Sequence, residues 1–214
     1  MGMQHRRASI IAIIGAVLVA ALAPGASAAA AEEPTFLLPA PEGTVLEVAQ
    51  GNRHPTGRTS AERYAFDFVA TERPERFPVL AARGGTVIGS RVGVKGGRCT
   101  DPADGRRPGC WRQVNYVLID HGDGTSGLYM HLKRSEPMVR RGEVVSRGQR
   151  IGTAGTSGWT QEVGLQFQLQ ETPVWNERRG GGWFQTRSLP VSFSDADVLA
   201  QRPDGVPRTG DLVT

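Results

Sequence analysis

The segment GLQFQL at residues 164–169 has the clearest strand pattern in the sequence. Its two leucines and Phe167 alternate with Gly164, Gln166 and Gln168. Successive side chains of a β-strand point to opposite faces, so the apolar residues share one face and the glycine and both amides share the other. We therefore predict a strand whose apolar face packs into a core. The amide face lines a groove or meets solvent, and inside a groove both amides would need hydrogen-bond partners.

Short segments of the same kind occur along most of the chain. They are residues 64–69, 79–82, 85–89, 114–120, 125–132, 144–146, 149–153 and 189–193. The Asp123-Gly124 pair between two of them is a strong β-hairpin signal. We find no convincing helical period, and 28 Gly and 14 Pro in 214 residues are too many for a helical bundle or a coiled coil. The sequence predicts an all-β fold, either a sandwich or a barrel.

Residues 1–28 have the pattern of a secretory signal peptide. Arg6 and Arg7 precede an apolar run at 10–22, and ASA at 26–28 is a small-residue cleavage pattern. The run is short for a membrane span, which needs about 20 apolar residues. We therefore expect cleavage after residue 28, no stable membrane insertion afterwards, and a secreted protein that is extracellular or associated with the cell wall. An uncleaved N-terminal anchor is the alternative.

The charge balance gives no sign of nucleic-acid binding. The whole chain carries 25 basic and 21 acidic residues, a formal charge of +4. Removing residues 1–28, which hold two Arg and no acidic residue, leaves 23 basic residues against 21 acidic ones, a net charge of +2. An excess this small does not attract a polyanion on its own. We expect no nucleic-acid partner.

The two cysteines of the chain, Cys99 and Cys110, flank a Gly- and Pro-rich stretch. An exported protein meets oxidising conditions, so we expect a disulfide between them. In the chain-entropy model, closing so short a loop stabilises the fold by roughly 2–3 kcal/mol. The alternative, a metal pair, would need further Cys or His residues nearby, which the sequence does not provide.

Several motifs stand in order along residues 44–169. They are YAFDF at 64–68, PVLAARGGTV at 78–87, residues 116–124, YMHL at 129–132, residues 139–152, GTSG at 155–158 and the strand at 164–169. Together they resemble the lysostaphin-type (LytM-domain) zinc metalloendopeptidases, which cut peptide cross-links in bacterial cell walls. The resemblance implies an all-β lysostaphin-type core, a duplicated hybrid motif with barrel-sandwich-like antiparallel sheets.

The same resemblance suggests how the chain is divided. After the signal peptide at 1–28 we expect a loose lead-in at 29–43. The lysostaphin-type peptidase-like β domain would then cover residues 44–175. The remaining residues, 176–214, would form a C-terminal extension that packs on this domain.

The resemblance also implies where a zinc site would lie. In the active family, zinc is bound by a His, by an Asp four residues later, and by the second His of a His-Leu-His strand. The first His of that strand and the His of a Tyr-x-His-Leu segment act in catalysis. On this chain the ligand positions are Arg63, Asp67 and Gln166, and the catalytic positions are Gly164 and His131. Two of three zinc ligands and one of two catalytic histidines are therefore missing.

The replacing residues suit zinc poorly. Arg63 is permanently cationic and has no lone pair to donate. Gly164 has no side chain, and the amide oxygen of Gln166 is a weak zinc ligand. We therefore expect no cofactor at this site. Arg63 instead indicates an ion pair with Asp67 that fills the position of the metal.

These residues lead to a functional hypothesis. We expect a secreted, monomeric, non-catalytic protein that binds peptidoglycan peptide or a cell-wall hydrolase through the old substrate groove, where His131 would be vestigial. The expected groove residues are Arg63, Asp67, Trp159, Gly164, Gln166 and Gln168. The alternative is an active zinc metalloendopeptidase that cleaves peptidoglycan cross-links with rearranged ligands, in which His131 or His54 joins Asp67. His121, at the hairpin, is expected to be a hydrogen-bonding residue of the turn.

Overall fold

The structure is a computed structural model that describes residues 36–52, 60–71, 76–95, 113–135, 138–160, 162–173, 184–195 and 204–214. The predicted signal peptide, His54 and the cysteines Cys99 and Cys110 lie outside the described residues. Within the described part of the chain, no helix is long and apolar enough to span a membrane.

Eleven short strands make up the described fold. Their bounds are β1 Leu46–Gln50, β2 Phe66–Ala70, β3 Pro78–Leu80, β4 Gly85–Arg91, β5 Tyr116–Asp120, β6 Thr125–Met130, β7 Val144–Val145, β8 Arg150–Thr153, β9 Leu165–Glu171, β10 Ser188–Leu189 and β11 Leu212–Val213. One single-turn 3₁₀ helix at Ser60–Glu62 precedes β2. The prediction of an all-β fold is confirmed.

The strands form one large antiparallel sheet and one small one. The large sheet has the order β11-β1-β2-β9-β6-β5-β4-β7, and β3 pairs with β8 in the small sheet. Strand β9, which begins within the GLQFQL segment, lies near the middle, between β2 and β6. Beyond the end of β2, the same edge of β9 pairs with β10. The strand is thus enclosed on both edges, which fixes its register and the direction of its side chains.

The apolar face of β9 packs into the main core as predicted. Leu165 and Phe167 are buried. The ring of Phe167 lies 5.8 Å from that of Phe193, which also contacts the ring of Phe66 at 5.4 Å. Burying one such side chain contributes about 1.5–3 kcal/mol, so this face holds the amide face opposite it in place.

A second, smaller apolar cluster lies apart from the main core. Its members are Val114, Tyr116, Leu118, Leu128 and Met130. Phe184 packs against it, with its ring stacked on that of Tyr116 at 4.3 Å. This contact brings the chain that precedes β10 close to β5 and β6.

The described parts of residues 176–214 belong to the sheet and the core. Besides Phe193, they contribute β10, which pairs with β9, and β11, which pairs with β1. Leu38 is linked to this region because its N–H donates to Asp195 Oδ1 at 2.7 Å. These residues complete the domain that the sequence placed at 44–175.

The predicted hairpin connects β5 to β6. Its strands pair in register from Tyr116 opposite Met130 to Asp120 opposite Ser126. Gly124 has φ +86°, a backbone conformation that glycine adopts without strain. The hairpin therefore places the residue after β6, His131, at the opposite end of the strand pair from the turn.

Candidate functional site

A cavity of about 350 Å³ lies over the start of the amide face of β9. Of the residues predicted to form a groove, Asp67, Trp159, Gly164 and Gln166 line it, together with His131. The sheet register explains this grouping, because Asp67 of β2 and Met130 of β6 both pair with Gln166, and His131 follows Met130. Arg63 and Gln168 are not among the lining residues.

His131 is held in an unusual backbone conformation beside the cavity. Its φ is +67°, and among the described residues it is the one non-glycine residue with a positive φ. Such a conformation is costly for most side chains and persists where the surrounding structure holds it. The ring Nδ1 donates to the carbonyl oxygen of Ser157 at 2.8 Å, and Nε2 lies 3.2 Å from Oε1 of Gln166. The imidazole is therefore fixed by two polar contacts.

Gln166 joins this imidazole to a carboxylate. The side chain is 7% exposed. Its Nε2 donates to Oε1 of Glu62 at 3.5 Å, and the same carboxylate oxygen accepts from Nε2 of Gln185 at 2.9 Å. The buried amide is thus held between the imidazole, which it contacts through Oε1, and the carboxylate, to which its Nε2 donates. The position that the resemblance assigns to a zinc-binding His is thus part of a chain of hydrogen bonds.

Gly164 has little room for a side chain. A Cβ built there would lie 2.8 Å from the carbonyl oxygen of Phe68 and 3.1 Å from Cγ1 of Val69. The backbone of Gly164 is also paired with that of Gly155 through two hydrogen bonds, of 3.3 and 3.0 Å. A histidine at this position would require neighbouring backbone to shift.

The expected ion pair between Arg63 and Asp67 is wrong for this structure. No ion pair between these two residues exists within the described part of the chain. Arg63 lies in the turn between the 3₁₀ helix and β2, outside the strand register, and is exposed. Its guanidinium sits 5.9 Å from the ring centroid of Tyr64. An exposed guanidinium keeps its hydration, which it would lose in a partly apolar cavity.

Gln168 also differs from the expectation, because it is buried rather than open to the groove. Its Nε2 donates to Oε1 of Gln170 at 2.7 Å, and its Oε1 accepts from Nε2 of Gln185 at 3.4 Å. The amide face of β9 therefore changes character along its length. It borders the cavity at Gln166 and is covered from Gln168 onward.

Three residues at the site were not found by sequence reasoning. Glu62 and Gln185 extend the hydrogen bonding of Gln166, and Phe184 forms part of the cavity wall. Glu62 and Gln185 are 123 positions apart in the chain. No local pattern links two such distant polar residues, so only the fold brings them together.

The described residues do not fit the zinc site of the active family. Among them, no group of three or more His, Cys, Asp or Glu residues is arranged to hold a metal ion. Asp67 and His131 carry groups that can bind zinc, but the guanidinium of Arg63 and the amide of Gln166, at the other two ligand positions, do not complete a zinc shell. The proposed rearranged ligand His54 lies outside the described residues.

Comparisons with known proteins place these observations in a family. The sequence profile of peptidase family M23 matches residues 63–178, more than half of the chain. The peptidoglycan DD-endopeptidase ShyA of Vibrio cholerae is 44% identical over 55 residues, which are 26% of this chain and 12% of that protein. The cell division protein DipM of Caulobacter vibrioides is 33% identical over 60 residues, 28% of this chain and 10% of that protein.

Solved structures show similarity over a longer part of the chain. A zinc-containing peptidase from Vibrio cholerae is 27% identical with a TM-score of 0.43, over 63% of this chain and 36% of that one. The catalytic domain of lysostaphin from Staphylococcus simulans is 23% identical with a TM-score of 0.40, over 67% of this chain and 86% of that one. The chain spans about a tenth of the length of the two curated relatives above. Because the family profile covers more than half of its residues, this protein belongs to peptidase family M23.

Proposed function

We propose that this protein is a secreted, non-catalytic member of its family that binds the peptide part of peptidoglycan in the cavity beside Gln166. One observation carries the proposal. Gln166 stands where the resemblance puts a metal-binding histidine, and its amide contacts the imidazole of His131 through Oε1 and donates to the carboxylate of Glu62 through Nε2. The cavity has thus kept polar groups that can contact a ligand, without a donor set suited to zinc.

The ligand class is suggested by the relatives and by the cavity. The Vibrio cholerae relative is named as a peptidoglycan endopeptidase. The cavity combines an aromatic wall at Trp159 with polar side chains at Asp67 and Gln166. Such a combination suits a peptide, since aromatic rings offer a large contact area while amides and carboxylates pair with peptide N–H and C=O groups. A cell-wall hydrolase that presents a peptide segment to the same cavity is the other partner that we expect from the sequence.

One observation favours the alternative of an active zinc endopeptidase. Asp67 and His131, two residues able to bind zinc, line the same cavity. A third ligand would have to come from elsewhere in the chain, and His54 is the candidate. Both candidates would bind peptidoglycan, but only the active endopeptidase would cleave its cross-links, so cleavage is the property that distinguishes them.

Binding and cleavage can be measured on the same material. Residues 29–214 are incubated with purified peptidoglycan sacculi, the bound fraction is measured by sedimentation, and released peptides are followed by mass spectrometry. We expect binding without release. Trp159→Ala should weaken binding by about fivefold to tenfold, the usual effect of truncating an aromatic anchor.

Val144→Ser is the matched control, because Val144 is 75% exposed and lies outside the cavity. It should bind as the unchanged protein does. Release of cross-link peptides by the unchanged protein, abolished by a chelator, would replace the proposal with the active endopeptidase. Equal loss of binding in both variants would show that the cavity is not the binding site.

A further inference from the structure

Residues 184–187, here called the strap, run across the covered half of the amide face of β9. The side chains of that face bind the main chain of the strap. Gln170 Nε2 donates to the carbonyl oxygen of Phe184 at 2.7 Å, and Oε1 of Gln170 accepts from the N–H of Thr186 at 3.2 Å. Gln168 Nε2 approaches the carbonyl oxygen of Thr186 at 3.5 Å. A piece of this chain therefore already covers the part of β9 that holds Gln168 and Gln170.

Every residue of the strap is also anchored through its side chain. Phe184 stacks on Tyr116 with an angle of 13° between the rings. Gln185 donates to Glu62 at 2.9 Å. The hydroxyl of Thr186 and the guanidinium of Arg187 both bond to Glu171. Directly after the strap, Ser188 pairs with Gln170 in the sheet. The strap is thus fixed along its whole length.

The strap closes the cavity at one end. Gly164 and Gln166 line the cavity, whereas Gln168 and Gln170, on the same face of β9, do not. Residues on one face of a strand are about 6.6 Å apart, so the change from open to covered occurs within one step along the strand. Phe184 and Gln185 form part of the cavity wall at this point. The volume of about 350 Å³ is at the lower end of the range for small-ligand pockets.

We propose that the cavity receives the free end of a peptide and rejects a peptide that continues in both directions. This inference rests on the proposed function and specifies its ligand. A continuous peptide lying along β9 would have to pass through the space of Phe184 and Gln185, and it would break their contacts with Tyr116 and Glu62. A peptide end can stop beside Gln166 and leave the strap in place. The ligand class is therefore a stem peptide of the cell wall with one free terminus next to the strap.

Synthetic peptides test this inference directly. The probes are the stem tetrapeptide of peptidoglycan and three versions of it that carry three added glycines at the amino end, at the carboxyl end or at both. Binding to residues 29–214 is measured by isothermal titration calorimetry. We expect the tetrapeptide and one singly extended version to bind alike. The other singly extended version and the doubly extended one should bind about tenfold more weakly or worse, because they must displace the ring stacking and hydrogen bonds of the strap.

A strap variant provides the matching experiment. Phe184→Ala combined with Gln185→Ala removes the two side chains that close the cavity, and we expect the doubly extended peptide to regain affinity to within about threefold of the tetrapeptide. Should the double variant fail to fold by circular dichroism, Gln185→Ala alone is used, with the same direction of change. Val144→Ser should keep the discrimination of the unchanged protein.

Two results would overturn the inference, and they differ in what else they affect. Equal binding of all four peptides to the unchanged protein would show that the strap does not exclude a continuous peptide, while peptide binding itself would stand. Failure of all four peptides to bind, to the unchanged protein and to the strap variant alike, would remove the proposed function as well.

Discussion

At the level of single residues, Gln166, which the resemblance puts at a metal-binding position, contacts other side chains of the protein through both ends of its amide. Gln166 lies between His131 and Glu62, and each contact uses a different atom of the amide. An amide can be both donor and acceptor, whereas a zinc ligand needs a lone pair directed at the metal. The same residue therefore explains why a polar cavity remains and why it is poorly suited to zinc.

Gly164 leaves little room for a larger side chain, so a histidine is difficult to accommodate at this position. We predict that Gly164→Ala lowers the free energy of unfolding by about 1–3 kcal/mol, the usual effect of forcing an added group against fixed neighbours. The neighbour here is the carbonyl oxygen of Phe68, 2.8 Å from the position of the new Cβ. Urea denaturation followed by tryptophan fluorescence measures the effect.

Gly93→Ala is the control for this prediction, since no atom lies within 4 Å of a Cβ at that position. It should change the free energy of unfolding by less than about 0.5 kcal/mol. If Gly164→Ala is as stable as Gly93→Ala, the close approach to Phe68 is not a barrier, and a histidine could be accommodated at position 164.

The sequence shows which functional groups the site contains, but it does not show which of them touch one another. That Arg63 and Gln166 are unsuited to zinc follows from their functional groups alone. The ion pair of Arg63 with Asp67 was a wrong prediction, because it took both residues to face the position of the metal, whereas Arg63 lies in an exposed turn with its guanidinium near the ring of Tyr64.

At the level of single elements, the β5–β6 hairpin contains a half-buried histidine, His121, that forms a hydrogen bond as predicted. The ring Nδ1 of His121 lies 2.9 Å from the carbonyl oxygen of Gly84, and its edge contacts the ring of Phe36 at 5.5 Å. Burial lowers the pKa of His121 below 6.5, and its hydrogen bond to Gly84 opposes this in part. Of the nearby charges, Arg83 lowers the pKa further while Asp120 and Asp123 raise it.

Because the pKa of His121 is lowered in the folded protein, we predict that the free energy of unfolding depends on pH. As the pH falls below 6.5, His121 takes up a proton in the unfolded chain before it does so in the folded one. Stability contributed by the neutral imidazole is therefore present above that pH and is lost as the pH decreases. In His121→Asn, which keeps a neutral hydrogen-bonding group, the free energy of unfolding should fall less steeply between about pH 7 and 5. The free energy of unfolding is measured by urea denaturation at each pH. If it falls equally steeply with decreasing pH in both proteins, the prediction is contradicted.

Elements were predictable where the pattern is local. The alternation at 164–169 predicted both faces of β9, and Asp123-Gly124 predicted the hairpin, since each depends on neighbours in the sequence. The strap was not predictable, because its contacts join residues 184–187 to Tyr116 and Glu62, which are far away in the chain. The covering of Gln168 was missed for the same reason.

At the level of the whole molecule, one C-terminal segment both completes the core and the sheet and borders the cavity. The segment that supplies Phe193 to the core and β10 to the sheet begins with the strap at the cavity. The position of the strap is thus determined by the packing of the domain, and the cavity is closed by the same chain that completes the fold. The sequence predicted that residues 176–214 pack on the domain, but their place in the sheet follows from the tertiary structure.

The central claim, a family M23 fold that binds its ligand without zinc, is tested most directly by the metal content of the protein. Residues 29–214 are purified without chelator, their zinc is measured by inductively coupled plasma mass spectrometry, and zinc is then titrated by calorimetry. We predict that the protein contains no stoichiometric zinc and takes up none in the titration, because Arg63 and Gln166 stand at two of the three ligand positions and do not complete a zinc shell. One tightly bound zinc ion per chain, lost when Asp67→Ala or His131→Ala is introduced, would contradict the account and identify the protein as a metal-binding peptidase.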